Sequence, residues 1–168
     1  GFPFPPLRER FEMLEETLQM AHAMWSGGTG TGEPFAGKHF TARRLLNSPQ
    51  SISRPRVPIM IGGGGARKTL RLVAQYADAC NVFGDATRIA HKYAVLREHC
   101  ERLGRPYEEI ERSTLQSVDV DAESPDAIVE RFGTLGDAGA QHILMSVRGV
   151  SDVTRLQRLG AEVLPQLR

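Results

Sequence analysis

Residues 57–70 read VPIMIGGGGARKTL: an apolar run, four consecutive glycines (Gly62, Gly63, Gly64 and Gly65), then Arg67, Lys68 and Arg71. Each glycine lacks the Cβ that would keep a ligand from the main chain. Where such a run joins a strand to a helix, consecutive N–H groups can form a concave anion nest at the positive end of the helix dipole. Basic residues in a first helical turn oppose that dipole, and an anion between them relieves the conflict. The chemistry indicated is phosphate binding; the competing reading is a tight turn in which glycine only relieves crowding. A P-loop does not fit, because Gly65 is followed by Ala66 and Arg67 rather than by Lys and Ser or Thr. A G-x-G-x-x-G fingerprint begun at Gly62 and Gly64 meets Arg67 in place of its third glycine. Asp85 lies at a ribose-binding spacing, so a dinucleotide fold stays open as an alternative.

Other residues that could do chemistry are scattered. Asn81 and Phe83 follow in the run ACNVF, where a buried asparagine needs partners, either a cofactor or neighbouring backbone. Asp119 and Asp121 end one strand-like run, and Ser146 and Arg148 another; Arg148 could meet a charged substrate or simply be solvated. His91 and His99 are eight apart on one helix, two turns distant, too far to share a metal. His142 begins a strand and reads as structural, whereas His39 falls in an insert that could cover a substrate. No Ser-His-Asp or Cys-His spacing emerges. Cys80 and Cys100 lack metal-type spacing and read as small buried thiols in a reducing compartment.

These residues must be positioned by the elements around them. Leu7, Phe11, Leu14, Leu18, Ala21 and Trp25 make the stripe of an opening helix. Residues 26–56 shift to Gly, Thr, Ser, Pro and Arg, a long insertion in which FAGKHF suggests a hairpin about Gly37. A regular alternation follows. Strands are expected at 57–61, 79–83, 113–120 and 142–147. Helices are expected at 66–78, from Asp85 to about 103 with Gly104 in the stop position, from Ser124 and Pro125 to GDAGA, and at about 152–165. Leu96, Leu103, Leu156 and Leu159 are among the residues expected to face inward. Four strand-then-helix units imply right-handed crossovers and a parallel sheet, hence an α/β class. An eight-stranded barrel typically needs about 250 residues. The 168 residues are therefore expected to form one partial barrel domain, 1–168, holding four of the eight units. Its outer strands would need cover from further sequence or another chain.

The net charge is +1 with both signs interspersed, so neither nucleic acid nor an acidic membrane surface is favoured. No apolar run approaches the roughly 18 residues of a membrane span, and the opening GFPFPPLRERF lacks signal-peptide order; a cytoplasmic protein is expected.

Taken together, RPRVPIMIGGGGARKTLRLVAQYADACNVFGD, HKYAVLREHCERLGRPYEEIERS and LQRLGAEVLPQLR resemble the C-terminal half of a luciferase-like monooxygenase, nearest to the deazaflavin (coenzyme F-420) branch. The resemblance extends to PFPPLRERFEMLEETLQMAHAMW and FAGKHF. It implies a (β/α)8 barrel in which these strands are the fifth to eighth, and main-chain N–H groups of residues 59–66 on the cofactor phosphate. Gly62, Gly63, Gly64, Gly65, Ala66 and Asn81 are the cofactor-binding candidates; coenzyme F-420 is the cofactor implied, with FMN the alternative. The implied activity is hydride transfer between the cofactor ring and a small organic substrate. The residues nearest the reacting carbon would lie on four strands this chain does not contain, so no catalytic residue is assigned. Two further readings stand beside this one: a non-catalytic half barrel that forms a homo-oligomer and binds an anion, and a piece of a longer parent.

Overall fold

The computed structural model describes residues 1, 3–26 and 32–167, so part of the predicted insertion, residues 27–31, lies outside the described residues. The chain divides into two compact units, Gly1–Ile59 and Met60–Arg168.

In the first unit, helix α1 (Leu7–Met24) follows the Pro-rich lead. Of its apolar stripe only Leu18 is buried; Leu7 and Leu14 are exposed, and Phe11, Ala21 and Trp25 are half-buried. FAGKHF does form the hairpin. Strands β1 (Phe35–Ala36) and β2 (Thr41–Ala42) pair antiparallel, and Gly37 N–H donates to the Phe40 carbonyl at 2.9 Å. Two carboxylates of α1 hold the hairpin. Glu16 accepts the consecutive N–H groups of Lys38, His39 and Phe40 at 2.7, 3.0 and 2.9 Å. Glu12 accepts from Lys38 Nζ at 2.6 Å and meets His39 Nε2 at 2.9 Å. Hydrogen bonds from Lys38, His39 and Arg8 hold the Glu12 carboxyl down at about 2.

The second unit is built on the predicted alternation. Four parallel strands stand in the order β3 (Met60–Gly62), β4 (Ala79–Val82), β5 (Glu111–Val118) and β6 (His142–Val147). Helices α2 (Thr69–Tyr76), α3 (Ala86–Leu103), α4 (Pro125–Asp137) and α5 (Val153–Glu162) follow them in turn. The cap signals operate as read. Asp85 accepts from Arg88 N–H at 2.8 Å, Ser124 from Ala127 N–H at 3.2 Å, and Gly104 closes α3 at φ 65.

The boundaries differ from expectation in specific ways. β3 covers only 60–62 of the VPIMI run and its following glycine: Pro58 has no N–H to donate, and an edge strand has one neighbour to pair with. α2 begins three residues late, after a turn at Ala66–Lys68. β5 begins at Glu111, where Glu111 N–H reaches the Asp78 carbonyl at 2.9 Å. Leu103 and Leu156 are exposed rather than inward, while Ile89, Tyr93, Leu96 and Cys100 are buried along α3.

Side chains alternate across the sheet. Ile61, Cys80, Val82, Thr114 and Val118 are buried together with Leu70, Val73, Ile89, Leu96, Ile128, Phe132 and Leu135 of the helices. The opposite alternation carries Met60, Leu115 and Leu144, which are 48%, 40% and 37% exposed.

Candidate functional site

The glycine run lies at the C-terminal end of edge strand β3, where Gly62 pairs in register with Asn81 of β4. Gly63 adopts φ 119, a region that L side chains rarely enter, and its N–H donates to the Asn81 carbonyl at 2.8 Å. That bond turns the chain out of the sheet. The next three N–H groups, of Gly64, Gly65 and Ala66, donate to no carbonyl or side chain among the described residues. The Gly65 carbonyl receives Leu70 N–H at 3.0 Å, which ties the turn to α2. α3, α4 and α5 are capped by Asp85, Ser124 and Asp152, whereas α2 has Lys68 at its cap position and no side-chain cap.

Backbone conformation and crowding explain two of the four glycines. Gly63 needs its positive φ, and a Cβ on Gly65 would stand 2.7 Å from Thr69 Oγ1. A Cβ on Gly62 would meet nothing within 4 Å, and one on Gly64 would meet only the methylenes of Lys92 at 3.6–3.9 Å, ordinary contact. Internal packing leaves the bareness of Gly62 and Gly64 unexplained, and an open cradle lined by unengaged donors suits a phosphate group.

Helix α3 supports the turn from behind. The His99 ring meets the Ala66 carbonyl through Nε2 at 2.7 Å and Arg102 Nη2 through Nδ1 at 3.1 Å. A guanidinium can only donate, so Nδ1 is the acceptor and Nε2 carries the proton given to Ala66. By sequence His99 stands out only beside His91, at a spacing too long to share a metal, and His91 is itself exposed. Among the described residues no three His, Cys, Asp or Glu side chains gather as a metal site.

Asn81 is 8% exposed, and its side chain is engaged within the sheet. Nδ2 donates to Ser113 Oγ at 2.9 Å, and that hydroxyl donates to the Cys80 carbonyl at 2.8 Å. Tyr93 Oη donates to the Ser113 carbonyl at 3.0 Å, and burial raises the Tyr93 phenol above its ordinary range. Asn81 meets the turn through its main-chain carbonyl, which accepts Gly63 N–H. Burial pushes the Cys80 thiol up to about 11 and raises that of Cys100; both are free and buried.

The remaining candidates disperse. Phe83 is half-exposed just past β4. Arg148 Nε lies 3.5 Å from Asp119, and Asp121 receives Arg155 Nε at 3.0 Å and Nη2 at 2.6 Å, so the strand ends of β5 and β6 are braced by ion pairs. Ser146 is exposed on the open sheet face. His142 Nδ1 meets Glu111 at 2.9 Å at the opposite strand ends, and His39 is bonded to Glu12 within the first unit.

The sequence profile of the family described as luciferase-like monooxygenase matches residues 2–160. An F420-dependent glucose-6-phosphate dehydrogenase of Nakamurella multipartita is 28% identical over 97% of this chain and 46% of its own length. Among solved structures, an F420-dependent secondary alcohol dehydrogenase in complex with an F420-acetone adduct superposes with a TM-score of 0.82 at 13% identity, covering 99% of this chain and 64% of that one. A riboflavin lyase with modified FMN and riboflavin gives a TM-score of 0.78 at 11% identity, covering 100% and 59%. The chain thus spans about half the length of the curated relative and about three fifths of these structures. Its α/β fold with a parallel sheet is that of a partial barrel.

Proposed function

The chain belongs to the luciferase-like monooxygenase family, and we propose that it supplies the cofactor-phosphate side of a deazaflavin- or flavin-dependent oxidoreductase acting on a small organic substrate. The observation that carries this reading is the turn itself: unengaged N–H groups at Gly64, Gly65 and Ala66, beside two glycines that packing does not require. When bound, the cofactor supplies hydride chemistry between its ring and the substrate. The chain's own residues bind and orient. Gly64, Gly65 and Ala66 receive the phosphate on their main-chain N–H groups, the bare Gly62 lets it approach, Asn81 fixes the start of the turn through the carbonyl that accepts Gly63 N–H, and His99 fixes its end through Ala66. Coenzyme F-420 is the preferred cofactor, supported by the F420-dependent relative that aligns over nearly the whole chain; FMN is the alternative, supported by a neighbour of the same fold.

The reading includes cover for the open sheet face by further chain or a second copy, because β3 and β6 are edge strands and Met60, Leu115 and Leu144 are exposed. These features also favour a second reading, a non-catalytic half barrel that self-associates. The two unpaired buried cysteines support assignment to a reducing compartment, the cytoplasm. Fluorescence titration with coenzyme F-420 and with FMN tests the proposal. Saturable binding of one of them at one site per chain is expected. Binding of neither, by a folded dimer, would favour the half-barrel reading instead.

A further inference from the structure

Lys92 is one of three lysines in the chain and lies in the second turn of α3. Its stem runs along the glycine turn: Cγ, Cδ and Cε stand 3.9, 3.8 and 3.6 Å from the point a Gly64 Cβ would occupy. The approach tightens toward the tip, and the ammonium is one C–N bond beyond. Side chains of a helix lean toward its N-terminus, which for α3 is the end beside the C-terminal end of β4. Lys92 is half-buried, yet no acceptor meets its ammonium among the described residues. Lys38 and Arg71 differ in this respect, being bonded to Glu12 and Gln75. Two carbonyls of this turn are already engaged, Ala66 by His99 and Gly65 by Leu70 N–H. Three N–H donors and one ammonium therefore stand at the same turn without an acceptor, an arrangement that an anion answers.

We propose that Lys92 is the charged ligand of the phosphate held on the Gly62–Ala66 turn, and the residue that favours phosphate-bearing over phosphate-free cofactors. The inference rests on the phosphate reading given above. It is tested with Lys92→Met, which keeps the stem against Gly64 and removes the charge, with Lys92→Gln as a second neutral variant, and with Lys92→Arg, which keeps the charge. Each is titrated with coenzyme F-420 and FMN and with their phosphate-free counterparts, the deazaflavin riboside and riboflavin. The neutral variants should lose about tenfold of the preference for the phosphate-bearing member, the scale of one charge-assisted hydrogen bond. Affinity for the phosphate-free member should not change, and Lys92→Arg should retain most of the preference. A neutral variant that keeps the full preference overturns the role of Lys92 and leaves the phosphate reading standing. An unsubstituted protein without any preference overturns the phosphate reading, and this inference with it.

Discussion

Replacing the four glycines by alanine one at a time separates what the turn needs to fold from what it needs to bind. At Gly63, φ 119 makes any side chain strained, at a cost of about 1–3 kcal/mol. For a chain of this size that corresponds to a fall in thermal midpoint of about 2–4 °C per kcal/mol. At Gly65 the new methyl would stand 2.7 Å from the hydroxyl of buried Thr69, so the side chain or the start of α2 must move, an overpacking cost of about 1–3 kcal/mol. At Gly62 a methyl meets nothing, and φ lies outside the strained region, so Gly62→Ala should hold or raise stability by about 0.4–1 kcal/mol through the unfolded chain alone. Gly64→Ala should behave similarly, against methylenes at ordinary distance. Binding should follow the opposite order. A methyl at Gly62 or Gly64 keeps the phosphate from the unengaged N–H groups, and loss of one such bond weakens affinity about tenfold. Thermal unfolding and cofactor titration on the same four variants provide the comparison. A Gly62→Ala variant as unstable as Gly63→Ala, or one binding cofactor with unchanged affinity, would refute the division of the glycines into two structural and two functional ones.

His99→Leu removes the 2.7 Å bond to the Ala66 carbonyl and should cost about 0.5–1.5 kcal/mol of stability together with cofactor affinity. His99→Gln, whose amide nitrogen can reach the same carbonyl, should restore both in paired melting and binding measurements; equal loss in the two variants would argue against the assigned tautomer. In the first unit, the folded Glu12 carboxyl sits at about 2, below its ordinary 4.5. A depressed carboxylate stabilises the folded state above its unfolded value, so the hold on the hairpin is complete above about pH 4.5 and is lost as the pH falls through 2. A carboxyl carbon NMR titration should show that low midpoint, and Lys38→Ala should raise it; a midpoint near 4.5 in the unsubstituted protein would contradict the clasp.

What the sequence made legible was local. Asp85, Ser124 and Gly104 announce the ends of α3 and α4 because a cap bonds within three or four residues. The order of strands and helices followed from periodicity, and Gly62 to Gly65 stood out by composition. What stayed hidden was bonded far along the chain. His99 meets a carbonyl 33 residues away and Asn81 a hydroxyl 32 residues away, and neither spacing has a pattern. Lys92 gave no signal, since its relation to Gly64 exists only once α3 packs beside the turn. The late start of α2 leaves no mark in the sequence because the turn at Ala66–Lys68 carries no cap residue. Leu103 and Leu156 fit the helical stripe but are exposed, because spacing names a face without naming what lies against it.

Amide NMR of the 18.5 kDa chain can observe the turn itself. Adding coenzyme F-420, or FMN if that is the cofactor bound, should shift the N–H resonances of Gly64, Gly65 and Ala66. That of Gly63, already bonded to Asn81, should move least within the turn. The phosphate-free counterpart should leave all four in place. Saturable binding of the phosphate-bearing cofactor with no change at Gly64 to Ala66 would contradict a main-chain phosphate site.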